Sequence, residues 1–439
     1  MLDPKFIREN LEKVEEAIRK KRVEVDLQRW LTLDEKRREL QQKLESKRAE
    51  QNEASKKIAQ VEKEEKEEMI KAMSNVKKEV QEIDSKLDKV KGRWEELLMN
   101  VPNICSPNMP EGKSDKDNME IKKWGEIREF DFDIKDHVQL GTALNIIDIE
   151  TAAEVSGSRF FYLKNGAVLL QMAIVNLVFD ILGSEEVIKS IIDQEGLDLK
   201  SIPFQPILPP VMIRNEVQTK IHRVFGDQTY KIQNEDLNLV ASAEHTLAPY
   251  YMNKTLKEEE LPKRFIGYST AFRQEAGTYG KDMGGILRTH QFDKLEMESF
   301  TTDESGVEEQ KLIVALQEYL VQQLKIPYRL VHVCTGDTGK PDYDQYDIEC
   351  WMPAQDKYRE THTSDYMTDY QTRGIKSYYK TKDGQRKLLH TNDATAFAIG
   401  RILIAILENN QQEDGSVLIP DVLQKYMGGK KMIGVQKDI

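Results

Sequence analysis

The chain has 439 residues, 32% of them charged, and a formal net charge of −12. That length allows two or three domains around a large core. No run of about 18 apolar residues stands out, so no membrane span is expected. The opening "MLDPKFIREN" lacks an apolar signal core, so a cytoplasmic protein is expected. Cys105, Cys334 and Cys350 lie far apart and form no CxxC pair, which argues against structural zinc.

Charge is uneven along the chain. Residues 1–100 carry 25 Lys and Arg against 24 Asp and Glu, while the remainder carries 39 against 52. A polyanion meets least repulsion in the first hundred residues, although the acidic total disfavours nucleic acid.

In that region Met73, Val76, Val80, Ile83, Leu87, Val90, Trp94 and Leu97 alternate spacings of three and four, an unbroken heptad seam. Leu40, Leu44, Ala54, Ile58 and Val61 give a weaker seam upstream. Two long helices folded back on each other follow, with the tip expected at residues 62–69. A helix of about 30 residues would reach roughly 45 Å. Such an arm suits dimerisation, spacing or reaching a distant ligand.

Residues 100–118 hold three prolines and read as a linker. Beyond it short strands and helices alternate. "FRQEA", "THQFDKLEMESF", "YRLVHVC" and "YDIECWMP" read as strands; "GAVLLQMAIVNLVFDIL" and "AFAIGRILIAILENNQ" read as helices. The expected fold is α+β: a helical arm, then a catalytic-sized domain on a largely antiparallel sheet.

The segment "FRQEAGTYGKDMGGILRTHQFDKLEMESF" puts charges where strands rarely carry them. Alternation places Arg273 and Glu275 on one face, and Arg288, His290, Phe292, Lys294, Glu296 and Glu298 on one face of the next strand. A hairpin would join the two faces into a surface of arginines, carboxylates and an aromatic ring. A solvated face explains one such strand; two facing ones suit a charged, planar ligand. The loop "GTYGKD" lacks the GxxxxGK[ST] pattern, so a phosphate loop is disfavoured.

"FRQEAGTYGKD…RTHQFDKLE" resembles motif 2 of class II aminoacyl-tRNA synthetases, in the form found in seryl-tRNA synthetases. The resemblance covers nearly the whole chain, through "CTGD…YDIECWMPAQDKYRE", "DYQTR" and a motif 3-like "GRILIAILENNQQEDGSVLIPDVLQKYMGG". It implies a tRNA-binding domain at 1–100, a linker at 101–118 and a class II catalytic domain at 119–439. The implied reaction joins L-serine to ATP and moves the seryl group to serine tRNA, and to selenocysteine tRNA where the host has one.

The resemblance also implies roles. Arg273, Glu296 and Arg401 would be catalytic. Arg273, Gln274, Glu275, Arg288, Thr289, Phe292, Glu360, Thr361, His362, Thr363 and Arg401 would bind ATP. Arg273 would bridge the α-phosphate and the serine carboxylate, Glu275 would accept from the adenine amine, and Phe292 would stack on adenine. Glu360 and Thr363 would hold Mg²⁺ with the nucleotide. Ser242, Ala243, Glu244, Arg273, Glu296, Asp393 and Thr395 would bind serine. A homodimer is implied, with neither DNA nor membrane as partner.

Several positions depart from the family pattern. Ser242 stands for the usual Thr, Asp393 for an asparagine, and His362 enters a serine-rich segment; Gly284 and Gly374 replace arginines. By residue type alone Asp393 suits a helix N-cap and Thr395 a helix interior. The departures leave two other readings: a synthetase-like paralogue of altered specificity, or a catalytically silent tRNA-binding protein.

Overall fold

The computed structural model describes residues 1–58, 63–223, 226–275 and 284–434. It divides into two compact units, Met1–Pro102 and Asn103–Ile439.

The first unit is helical: α1 (Pro4–Glu9), α2 (Leu11–Lys20), α3 (Leu27–Ile58) and α4 (Lys63–Leu98). Asp3 caps α1, its Oδ1 accepting from the Lys5 amide, and Pro4 occupies the first turn, where its missing N–H costs nothing. Along α4 the eight heptad positions are the shielded ones, while nearly all residues between them are exposed. The facing row of α3 is Leu27, Trp30, Asp34, Arg37, Leu44, Lys47, Gln51, Ala54 and Ile58. Polar residues interrupt it, which is why its sequence signal is weak.

The charged ones among them are paired. Asp34, 1% exposed, accepts from Arg8, Arg37 and Arg38 at 2.9, 2.9 and 3.1 Å. Lys47 meets Glu79 at 2.8 Å and Arg48 meets Asp84 at 3.1 Å. Trp30 meets Trp94 near one end of the pair and Ser55 meets Met73 toward the other, so the two helices run antiparallel. Trp30 stacks on Trp94 with ring centroids 6.0 Å apart, under the Arg37 guanidinium. Residues 63–68, expected at the tip, are already helical; Val61 and Glu62 lie outside the described residues.

The second unit is built on an eight-stranded sheet. Its strands are β1 (Met119–Trp124), β2 (Gln205–Ile207), β3 (Lys263–Phe272), β4 (Gln291–Thr301), β5 (Tyr328–His332), β6 (Asp344–Met352), β7 (Lys357–Thr368) and β8 (His390–Ala398). The order is β1-β5-β6-β7-β8-β4-β3-β2, antiparallel throughout except for the β2–β3 edge pair. Three helices, α5 (Asn165–Leu182), α6 (Gly306–Gln323) and α7 (Ile399–Asn409), bury apolar residues in one core with Leu295, Met297, Ile348 and Phe397 of the strands. By length and composition α5 could cross a membrane; half of it is buried in this core.

Arg264 of β3 is fully buried and clamps the sheet to α6. Its Nε and Nη2 donate to Glu309 Oε1 and Oε2 at 2.6 and 2.7 Å, and its Nη1 donates to the Lys200 and Ile202 carbonyls. The segment from Asn103 belongs to this unit: the Asn103 side chain donates to the Pro341 and Met367 carbonyls, and Ser106 N–H to that of Tyr343.

Three local expectations differ. "FRQEA" is not a strand, because β3 ends at Phe272 and Glu275 has a left-handed φ of 50°. Asp393 and Thr395 lie on β8 rather than at the start of a helix, since α7 begins only at Ile399. Gly374 is a packing glycine: a Cβ there would meet the Lys220 carbonyl at 2.0 Å, so the arginine usual in the family cannot fit this backbone.

Two buried contacts give expected stabilities. Trp94→Ala should cost the helical unit about 3–5 kcal/mol, read by helical circular dichroism in a urea titration. Glu309→Gln leaves a buried guanidinium without its charge partner and should cost the second unit about 3–5 kcal/mol in a guanidinium titration.

Candidate active site

The sheet face opposite the core helices is polar. On β4, Leu295 and Met297 point to the core, so Phe292, Lys294, Glu296 and Glu298 point the other way. On β8 the same alternation presents Asp393 and Thr395, across from Glu298 and Glu296. A cavity of about 420 Å³ opens there, and its wall includes Arg273, Arg288, Phe292, Glu360, Thr363 and Arg401.

A bulge in β7 shapes that wall. Ile348 pairs with His362 and Glu349 with Glu360, leaving Thr361 as an extra residue. Glu360 and Thr363 thereby share the cavity face, which three residues of regular strand would not allow. Thr361 turns its hydroxyl back to the Ile348 carbonyl. His362 falls on the core face, fully buried with its ring 5.0 Å from Phe397, and burial pushes its imidazole down to about 3. His362 is therefore a neutral core histidine rather than a nucleotide contact.

At one end of the cavity the charges are cationic. The Arg273 guanidinium lies 5.2 Å from the Phe292 ring centre, and its Nε donates to the Ala241 carbonyl at 3.2 Å. Desolvation, and next the like charge of Arg401, lower its pKa. Arg401 donates from Nη1 to both the carbonyl and Oε1 of Glu360 at 2.8 Å. Desolvation opposes ionisation of Glu360, but Arg401 and Arg273 together hold its carboxyl below the usual range. Arg288 pairs with Glu275 at 2.9 Å, and the Thr289 hydroxyl donates to the Gln291 carbonyl.

The other end is acidic. Ser242 donates to Glu296 Oε2 at 2.9 Å, and Lys294 Nζ lies 2.5 Å from the same oxygen. Glu296 Oε1 is buried without a hydrogen-bond partner among the described residues, an acceptor aimed at something else. The Thr395 and Thr363 hydroxyls are 3.3 Å apart. Glu244 accepts from Gln371 at 2.7 Å and from Arg223 at 2.5 Å. Burial, then Glu244, push Asp393 well above the carboxylate range against the pull of Arg223. Glu298, opposite it, is raised by burial and then by Asp393.

Most of the expected residues thus converge on one cavity. Gln274, Ala243, His362 and Glu296 stay off its wall: Gln274 is exposed and donates to the Thr229 carbonyl, Ala243 is buried at the start of the Glu244–Leu247 helix, and Glu296 is fully buried against the lining residues Ser242 and Lys294. The loop "GTYGKD" lies outside the described residues; Gly284 faces open space. Arg223, Asp342 and Asp365 line the cavity although nothing in the sequence singled them out.

Comparison with known proteins gives one answer. The model for the seryl-tRNA synthetase N-terminal domain matches residues 1–105, and that for the tRNA synthetase class II core domain (G, H, P, S and T) matches 228–410. The chain is 38% identical to a serine--tRNA ligase of Rubrobacter xylanophilus over 99% of both chains. It is 39% identical to that of Dictyoglomus turgidum over 98% of both. The crystal structure of seryl-tRNA synthetase from Pyrococcus horikoshii complexed with ATP superposes with a TM-score of 0.84 at 35% identity, covering both chains completely. Full-length identity, two family domains in order and the same fold carry one conclusion: the chain belongs to the seryl-tRNA synthetase family of class II aminoacyl-tRNA synthetases.

Proposed function

We propose that this cavity activates L-serine with ATP and that the first hundred residues deliver serine tRNA to it. The observation that carries the reading is the pair of guanidiniums Arg273 and Arg401 on one cavity wall with Phe292 and the Glu360 carboxylate. Two neighbouring guanidiniums are stable together when an anion lies between them.

In this reading the adenine ring stacks on Phe292, with Arg288 and Glu275 at its edge. The serine carboxylate attacks the α-phosphate, a P–O bond forms, and pyrophosphate leaves as seryl-adenylate remains. Arg273 neutralises charge where bond making occurs, and Arg401 holds the departing phosphates. No protein nucleophile is required, so orientation and charge neutralisation supply the acceleration. Transfer follows when a ribose hydroxyl of the tRNA terminus attacks the seryl carbonyl and AMP departs.

Serine binds at the acidic end, its ammonium and hydroxyl facing Glu296, Ser242, Glu244 and Thr395. Alanine would leave those acceptors unpaired, so a pocket built for a hydroxyl rejects it. Mg²⁺ is a hard cation that takes oxygen ligands and keeps phosphates and waters around it. The β7 bulge gives Glu360 and Thr363 a common face, and their carboxylate and hydroxyl fit that demand. Bound there with ATP, it would neutralise phosphate charge.

The α3–α4 pair is the proposed tRNA contact, in a unit far less acidic than the rest, recognising folded RNA by shape and backbone. The exposed apolar side chains Val168, Leu169 and Met172 of α5, with Met119 and Trp124 on edge strand β1, support a homodimer. A cytoplasmic location fits a tRNA substrate.

Arg273→Ala should lower ATP–pyrophosphate exchange with serine by about 10²–10³-fold while the chain stays folded by circular dichroism; unchanged exchange would remove Arg273 from the reaction. Deleting residues 30–97 should leave serine activation intact and abolish charging of serine tRNA, read by filter-bound radiolabelled serine. Full charging by the shortened chain would refute the role given to the helices.

A further inference from the structure

Arg223 comes from the segment after the Asn215–Lys220 helix and ends among four carboxylates. Its Nε lies 2.5 Å from Glu244, and its Nη2 lies 3.2 Å from Asp342, 3.4 Å from Asp365 and 3.2 Å from Asp393. All five side chains are at most 11% exposed, and all five line the cavity beside Ser242 and Thr395. One guanidinium therefore lies against four acids in a largely buried corner. Glu298 adds a fifth carboxyl opposite Asp393, with neither oxygen hydrogen-bonded among the described residues.

The geometry points to Arg223 as a specificity-determining residue: it supplies the positive charge at the acidic end of the amino-acid pocket, so that a neutral hydroxymethyl side chain is accepted there and an ammonium-bearing one is refused. The assignment rests on the serine-activation reading above and adds to it. Without Arg223 the same corner would be an acidic trap for a cation. The compact cation that matches serine in size is the side-chain ammonium of L-2,3-diaminopropionate, where –NH₃⁺ replaces –OH. Selection against it is then repulsive, a charge placed to refuse a competitor rather than to hold the substrate. Asp393 takes part by holding the guanidinium in place, which gives its departure from the family's asparagine a partner.

The test is ATP–pyrophosphate exchange by the full chain with serine and with L-2,3-diaminopropionate, comparing kcat/KM for the two. Arg223→Gln should lower the serine-to-diaminopropionate ratio at least about tenfold, and Arg223→Lys, which keeps the charge, should preserve it. Where Arg223→Gln does not fold, Arg223→Gln with Asp393→Asn removes the guanidinium together with one of its carboxyl partners and decides instead. It should still lower the ratio, because three carboxylates stay without their cation. An unchanged ratio in the folded neutral variant, or equal loss in the Lys variant, would overturn the assignment. A folded unmodified chain that exchanges neither amino acid would overturn the serine-activation reading, and this assignment with it.

Discussion

Burying charge is the constraint on which this structure turns. A sheet has two faces, and here one lies under α5, α6 and α7 while the other carries arginines and carboxylates into a cavity. An ionised group removed from water is tolerated only when opposite charge and hydrogen bonds replace its hydration. Arg264 meets that demand internally, with both Glu309 oxygens and two carbonyls around its guanidinium. Asp34 meets it in the helical unit, with three arginines on one carboxylate. The catalytic face meets it only in part.

That shortfall is what makes the face reactive. Arg401 pairs with Glu360 at one end, and Arg273 adds a second positive charge on the same wall. At the other end Glu296 keeps a buried oxygen without a hydrogen-bond partner among the described residues, which a substrate ammonium or hydroxyl would satisfy. Between them Phe292 supplies a flat apolar surface. The ligand is thus the missing member of a charge network that the fold has already ordered. Preorganisation of this kind favours the transition state because no dipole has to turn during the reaction.

Much of the fold was legible before any coordinates. The α4 seam from Met73 to Leu97 could be read directly, since apolar period alone determines which face is shielded. Its partner on α3 was harder, because Asp34, Arg37 and Lys47 occupy seam positions and are buried by pairing rather than by apolarity. The run from Ala394 to Leu407 is apolar apart from Thr395, Gly400 and Arg401, and period cannot separate a buried strand from a buried helix there. Asp393 and Thr395 were consequently expected near a helix start. His362 was misplaced for another reason: the extra residue at Thr361 shifts the alternation of β7, and nothing in the order of residues announces a bulge. Arg223 lay in a polar stretch without pattern. The only hint was Asp393 itself, an acid in place of an asparagine, which calls for a cation but does not say from where.

The central claim is that the two ends of this cavity are one adenylation site for serine. The most direct measurement is ATP–pyrophosphate exchange by the purified full chain, offering serine, threonine, alanine, glycine and cysteine separately. The account predicts strong exchange with serine and far weaker exchange with the other four. Exchange led by another amino acid, or none at all from a folded chain, would contradict it.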